Sequence, residues 1–161
     1  MAVSMAAAAG ARVVVTSSSQ AKIDAAKELG AAAGVDHSAD GWTEAARQLV
    51  PGGGFDLVLD SVGRWAESVG CLAPGGRCVV LGASAAERAT LDVRPFYFGQ
   101  YELIGTTMGN ARDMAGLLRF LDDNAVPPPV VDRTFPLEEA AAAHERLEAG
   151  TGFGKIVLLH D

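Results

Sequence analysis

The segment RVVVTSSSQAKIDAAKELG, Arg12–Gly30, gathers hydroxyls and an ammonium group at one junction. Ser17 and Ser18 can donate to an anion or a sugar oxygen, and Lys22, one helical turn on, brings a charge. The same residues also suit plain helix capping. Ser17 with Gln20 three residues later fits a capping box, and Ser19 can cap directly. Three further stretches share this small, hydroxyl-bearing chemistry: Asp60-Ser61-Val62-Gly63, Gly82-Ala83-Ser84 and Thr106-Thr107-Met108-Gly109. Glycine lets a ligand approach the backbone closely, and Asp60 is either a sugar ligand or the holder of a turn.

Other chemistry finds less support. Gly150-Thr151-Gly152-Phe153-Gly154-Lys155 imitates a phosphate loop, but such a loop needs glycine at Ala149 and a hydroxyl at Ile156, and it must open a helix. An apolar strand follows instead. His37, His144 and His160 have no zinc spacing, so no metal site is expected within the chain. Cys71 and Cys78 read as core residues rather than nucleophiles, and no Ser–His–Asp set can be placed.

The elements that must carry these stretches alternate. Val3–Ala9 reads as a helix end closed by Gly10, Val13–Val15 as a strand, and Gln20–Leu29 as a helix closed by Gly30. A short strand near Val35 and a helix over Thr43–Val50 follow. Phe55–Leu59 is an apolar strand closing on Asp60, and Ala66–Leu72 a short helix. Pro74-Gly75-Gly76 turns the chain, and Arg77–Leu81 is a further strand. Leu91–Gly99 is less regular. Tyr101–Met108 reads as a strand, Asp113–Leu121 as a helix, and Pro127–Pro129 as a stiff connection. The tail gives a strand (Val130–Phe135), a helix (Leu137–Leu147) and a last strand (Lys155–Leu159).

Strands alternating with ten-residue helices predict an α/β fold with a doubly wound parallel sheet. In such a sheet ligands sit at the carboxyl ends of the strands, where the four small-residue stretches fall. A dinucleotide fold commonly sets an acidic side chain at the strand end where Ser17 and Ser18 stand, to accept from the ribose 2′-hydroxyl and select NAD. Ser17 and Ser18 do not repel the additional phosphate of NADP.

The bulk numbers agree with a globular protein. At 161 residues the chain is one domain or most of one, and 49% of it is hydrophobic. A net charge of −7 without a basic run argues against nucleic acid as a partner. No apolar stretch reaches the length of a membrane span, and MAVSMAAAAGARV lacks the basic start of a signal peptide. Two cysteines do not make a disulfide framework, so a cytoplasmic setting is expected.

RVVVTSSSQAKIDAAKELGA, FDLVLDSVG, LAPGGRCVVLGA, YELIGTTMG and FPLEEAAAAHERLEAGTGFGKIVL follow one another in an order that covers nearly the whole chain. That order resembles the C-terminal part of medium-chain dehydrogenase/reductases, the superfamily of zinc-type alcohol dehydrogenases and quinone oxidoreductases. The resemblance implies a Rossmann domain over 1–126 and a tail over 127–161 that packs back onto a catalytic domain. It implies NAD(P)(H) as cofactor and hydride transfer as the reaction of the complete enzyme. Ser17 stands where NAD-preferring members carry the acidic ribose ligand, which favours NADP(H). Lys22 matches a lysine that reaches the adenosine ribose and by itself does not select NADP. Ser61 and Val62 match the strand end beside the nicotinamide ribose. Gly82, Ala83, Thr106 and Met108 match positions around the nicotinamide. Tyr101–Met108 matches the edge strand through which many members dimerise.

The departures carry as much weight. The family's first Rossmann strand and its G-x-G-x-x-G turn should stand just before Met1, and the N-terminal catalytic domain with any zinc ligands is missing too. The chain thus resembles a fragment that is not a competent enzyme alone. In the strand order 3-2-1-4-5-6 the missing strand is central, so the first two strands and the next three should not share a ladder. A complementing N-terminal segment, altered pairing, or association between copies would deal with the open edges. Two rival readings remain: an assembly module without cofactor that pairs through its sheet edge, and a SAM-dependent methyltransferase-like domain, which FDLVLD and LAPGGRCVVLG resemble but the tail does not fit.

Overall fold

The computed structural model describes residues 1–160. Its elements run α1 (Ala2–Ala8), β1 (Val14–Ser17), α2 (Gln20–Glu28), β2 (Ala33–Asp36), α3 (Trp42–Gln48), β3 (Phe55–Asp60), α4 (Trp65–Gly70), β4 (Leu72–Val80) and α5 (Val93–Phe98). Then follow β5 (Glu102–Gly105), α6 (Ala111–Asp123), β6 (Val131–Pro136), a 3-10 turn (Leu137–Glu139), α7 (Ala140–Glu148) and β7 (Lys155–Leu159).

All pairings among the described residues are parallel, and they form three ladders: β1-β2, β3-β4-β5 and β6-β7. The expected break between the first two strands and the next three is present. What ties the first two ladders together is α3. The Arg12 guanidinium donates to the Leu49 carbonyl at the end of α3 (3.3 Å). Arg47 on α3 donates to the Gly70 carbonyl at the end of α4 (3.1 Å), and the Cys71 thiol reaches the Thr43 carbonyl at 4.0 Å.

The β3-β4-β5 sheet is covered on one face only. Val58, Cys78 and Leu103 are neighbours in register and, with Val80, meet Val69 and Leu72 in the main core. Trp65 of α4, Phe96 of α5 and Tyr101, just before β5, close over this face. The next residues along each strand point the other way. Leu57 and Leu59 are each 51% exposed and Ile104 is 38% exposed. Parallel sheets normally bury both faces, so this apolar face and the free edge of β3 are unfinished surfaces.

Several boundaries differ from the sequence expectation. Leu91–Gly99 is not irregular: α5 forms there, begins after Asp92, and tolerates Pro95 because the first helical turn needs no amide donor from it. The expected Pro74–Gly76 turn lies inside β4 as an irregularity, where register jumps from Phe55 opposite Leu72 to Leu57 opposite Arg77. Leu72, expected to end a helix, instead begins that strand. β5 is shorter than Tyr101–Met108 because its neighbour β4 ends: the Thr106 amide makes one further bond, to the Val80 carbonyl at 3.0 Å. No helix among the described residues is long and apolar enough to cross a membrane.

Candidate functional site

The three serines divide their work. Ser19 is the N-cap of α2, and its Oγ accepts from the Lys22 amide (3.4 Å). Ser17 is therefore not the cap; it ends β1 and its Oγ accepts from the Ser19 amide at 3.2 Å, which leaves its own O–H to donate outward. Gln20 does not complete a capping box with Ser17, because its amide bonds Asp24 (2.9 Å). Ser18 is exposed and Lys22 half-buried. The Lys22 ammonium donates to the Gly150 carbonyl in the tail.

Asp60 is only 3% exposed and is the organiser of the second strand end. Its Oδ1 accepts from the amides of Val62 and Gly63, both at 2.8 Å, and its Oδ2 accepts from the Ser68 hydroxyl at 3.0 Å. Both carboxylate oxygens are thus engaged with the chain itself. Of the two roles open to Asp60 in the sequence, the turn-holding one is realised. Ser61 and Val62 are held outward, exposed, by that turn.

The third strand end packs directly against this loop. A methyl group on Gly82 would collide with the Ser61 carbonyl, so only glycine allows the two backbones to meet. The Ala85 amide donates to the Val62 carbonyl at 2.7 Å, joining the loops again. Thr106 follows through its bond to Val80, and Met108 projects further out at 91% exposure. Ser61, Val62, Gly82 and Ala83 are therefore brought together, with Thr106 next along the same sheet end. Ser17, Ser18 and Lys22 form a separate group on the β1-β2 sheet.

A cavity of about 380 Å³ opens at that second group. Its lining includes Met1, Val15, Ser17 and Lys22 together with Phe153, Gly154 and Lys155 of the tail. The lining is largely apolar and carries the two ammonium groups of Lys22 and Lys155 and the hydroxyls of Thr16 and Ser17. The tail's approach to Lys22 has no local signature in the sequence, because Gly150 lies 128 residues away.

The tail loop is pinned by an ion pair. Arg146 grips Asp132 with two bonds of 3.0 Å and donates a third to the Thr151 hydroxyl (2.8 Å). The bonded guanidinium holds the Asp132 carboxyl below its usual range. The glycine-rich string here thus joins α7 to β7 and opens no helix, which sets aside its likeness to a phosphate loop.

Cys71 and Cys78 are both buried, and burial pushes each thiol up to about 11, so neither is a thiolate at neutral pH. No group of three or more His, Cys, Asp or Glu side chains comes together among the described residues. The described residues do not form a zinc ligand set.

The zinc-binding dehydrogenase family matches residues 1–123. The chain is 33% identical to a 2-haloacrylate reductase of a Burkholderia species, over 93% of this chain and 48% of that protein. It is 32% identical to a zinc-type alcohol dehydrogenase-like protein of Schizosaccharomyces pombe, over 96% of this chain and 46% of the relative. Among solved structures, an NAD-dependent alcohol dehydrogenase superposes with a TM-score of 0.89 at 34% identity, covering 99% of this chain and 47% of that one. The chain spans about half the length of the relatives it matches. That superposition shows that the three separate ladders keep the relative placement they have in a longer dehydrogenase. The chain belongs to the zinc-binding dehydrogenase family, and corresponds to the C-terminal, Rossmann-like part of a medium-chain dehydrogenase/reductase rather than to a methyltransferase.

Proposed function

We propose that the chain is the cofactor-binding part of an NAD(P)(H)-dependent oxidoreductase of the alcohol dehydrogenase or quinone reductase type, and that it prefers NADP(H). It does not complete a reaction alone. The observation that carries this reading is the gathering of small-residue strand ends, with a serine rather than a carboxylate at the end of β1. The bound dinucleotide supplies the hydride; the residues of this chain hold it. Ser17, Ser18 and Lys22 take the adenosine ribose and its phosphate. Ser61, Val62, Gly82, Ala83, Thr106 and Met108 take the nicotinamide end. The alcohol dehydrogenase at 34% identity is NAD-dependent, so the NADP(H) preference rests on Ser17 of this chain. Residues 1–126 form the dinucleotide-binding unit, and 127–161 pack back onto a catalytic domain. Two buried thiols suit a reducing cytoplasm.

Titration of the purified chain with NADPH and NADH, followed by nicotinamide fluorescence and thermal stability together, tests this reading. The expected result is binding of NADPH in preference to NADH, with a matching rise in Tm. A folded chain that binds neither would reject it.

The second reading, a module that assembles through its sheet edges, is favoured by one observation: the open edge of β3 beside the exposed Leu57 and Leu59. The occupants of such edges are a complementing N-terminal strand or a second copy paired along Glu102–Gly105. This surface is compatible with cofactor binding, since it lies off the strand ends.

A further inference from the structure

We infer that the tail loop Gly150–Gly154 is a working part of the nucleotide site, where it positions Lys22 to read a phosphate on the ribose 2′-oxygen. The inference rests on the dinucleotide reading above and adds a second determinant of its specificity beside Ser17.

A lysine is a flexible point charge that loses rotamer freedom when it is fixed. Here Lys22 is fixed before any ligand arrives. Its ammonium donates to the Gly150 carbonyl, which spends one of three protons and leaves two for an anion. The carbonyl is in turn held by a built frame. Arg146 bonds both oxygens of Asp132 and the Thr151 hydroxyl. Asp132 accepts from the Phe153 amide at 3.2 Å, and its side chain is 12% exposed. The loop lies so close to that carboxylate that a methyl group on Gly152 would sit 2.6 Å from Asp132 Oδ2. Lys22 and Ser17 line the same cavity as Phe153 and Lys155. Arg146 and Asp132 touch no ligand in this arrangement. They are positioning residues that act through the loop. The ligand class is a ribose 2′-phosphate monoester, whose dianion gains from a pre-aimed ammonium what an unphosphorylated ribose does not.

The test uses adenosine 2′,5′-bisphosphate and adenosine 5′-diphosphate as probes, with the full chain. Wild type is expected to bind the 2′-phosphate probe more tightly. Gly152→Ala pushes the loop off Asp132 without changing any charge. It should weaken the 2′-phosphate probe about tenfold and leave the other within about twofold. Arg146→Met, a second route to the same displacement, should do likewise. In the Lys22→Met background neither change should weaken binding further, because all three act on one contact. A folded Gly152→Ala or Arg146→Met chain with unchanged discrimination overturns the inference, as does additivity with Lys22→Met. Wild type that fails to discriminate the two probes also overturns it. Loss of discrimination in the loop variants of a chain that binds no NADPH would uphold the inference and reject the oxidoreductase reading.

Discussion

Asp60→Ala is expected to destabilise the chain by about 3 kcal/mol, while Asp60→Asn costs about 1 kcal/mol. The difference follows from which bonds each variant keeps. Alanine leaves the amides of Val62 and Gly63 and the hydroxyl of Ser68 without their acceptor in a buried corner. An unpaired buried donor costs about 1–3 kcal/mol, and entry of water into the loop offsets part of the sum. Asparagine keeps an oxygen for the two amides and offers its NH₂ to the Ser68 oxygen. Urea unfolding with an unchanged m-value reads the difference as a shift in midpoint. Because the same turn holds Ser61 and Val62 outward against Gly82, the alanine variant should also lose dinucleotide affinity at temperatures where it remains folded. Equal, sub-kilocalorie effects of both substitutions would show that the carboxylate does not organise this loop.

Ser17→Asp should reverse the coenzyme preference. The residue ends β1, and the Ser19 amide that its Oγ now accepts could equally be accepted by a carboxylate, so the local backbone has no reason to move. The cap of α2 belongs to Ser19 and is untouched, so stability should stay within about 0.5 kcal/mol of wild type. A carboxylate at this place repels a 2′-phosphate and accepts from a free 2′-hydroxyl. Charges near a protein surface at close range interact by several kcal/mol before ionic screening, so a net penalty of about 2 kcal/mol, or about thirtyfold in NADPH affinity, is expected. NADH affinity should rise. The ratio of the two dissociation constants, measured on the chain and on any complete protein that contains it, decides the matter. An unchanged ratio would remove Ser17 from the specificity determinants.

The parts of the fold that were legible in the sequence are those in which local and tertiary demands coincide. FDLVLD and RCVVLG carry β-branched and apolar runs that suit parallel strands, and these pair in register, while Gly10 and Gly30 take the positive φ that closes α1 and α2. The α5 helix was not legible. VRPFYF is aromatic and contains Pro95, and its helicity comes from Phe96 packing on the core and edge-on against Tyr101 at 6.2 Å. The start of β4 was hidden for a similar reason, since Leu72 is extended by its pairing with Phe55 across a glycine-rich irregularity.

The site was legible to the extent that strand ends are. The rule that ligands sit at the carboxyl ends of parallel strands picked out Ser61, Val62, Gly82 and Ala83, which the folded chain brings into contact. Asp60 could not be assigned from sequence, because a sugar ligand and a turn holder carry the same side chain. Only the three bonds it accepts decide between them. The tail's approach to Lys22 is a long-range contact with no local signature. The nearest hint was the spacing of Asp132 and Arg146 around a glycine-rich loop, which reads as ordinary surface charge until the pair is seen closed.

The most direct test of the central claim, that these strand ends are one dinucleotide site, is residue-level mapping of NADPH binding by amide chemical shifts on the isotopically labelled chain. Perturbations are expected at Ser17, Ser18 and Lys22 together with Val62, Gly63, Gly82, Ala83 and Thr106, and at the tail amides of Thr151 and Phe153. Perturbations confined to the open face around Leu57, Leu59 and Ile104, or absent from both groups of strand ends in a folded chain, would contradict it.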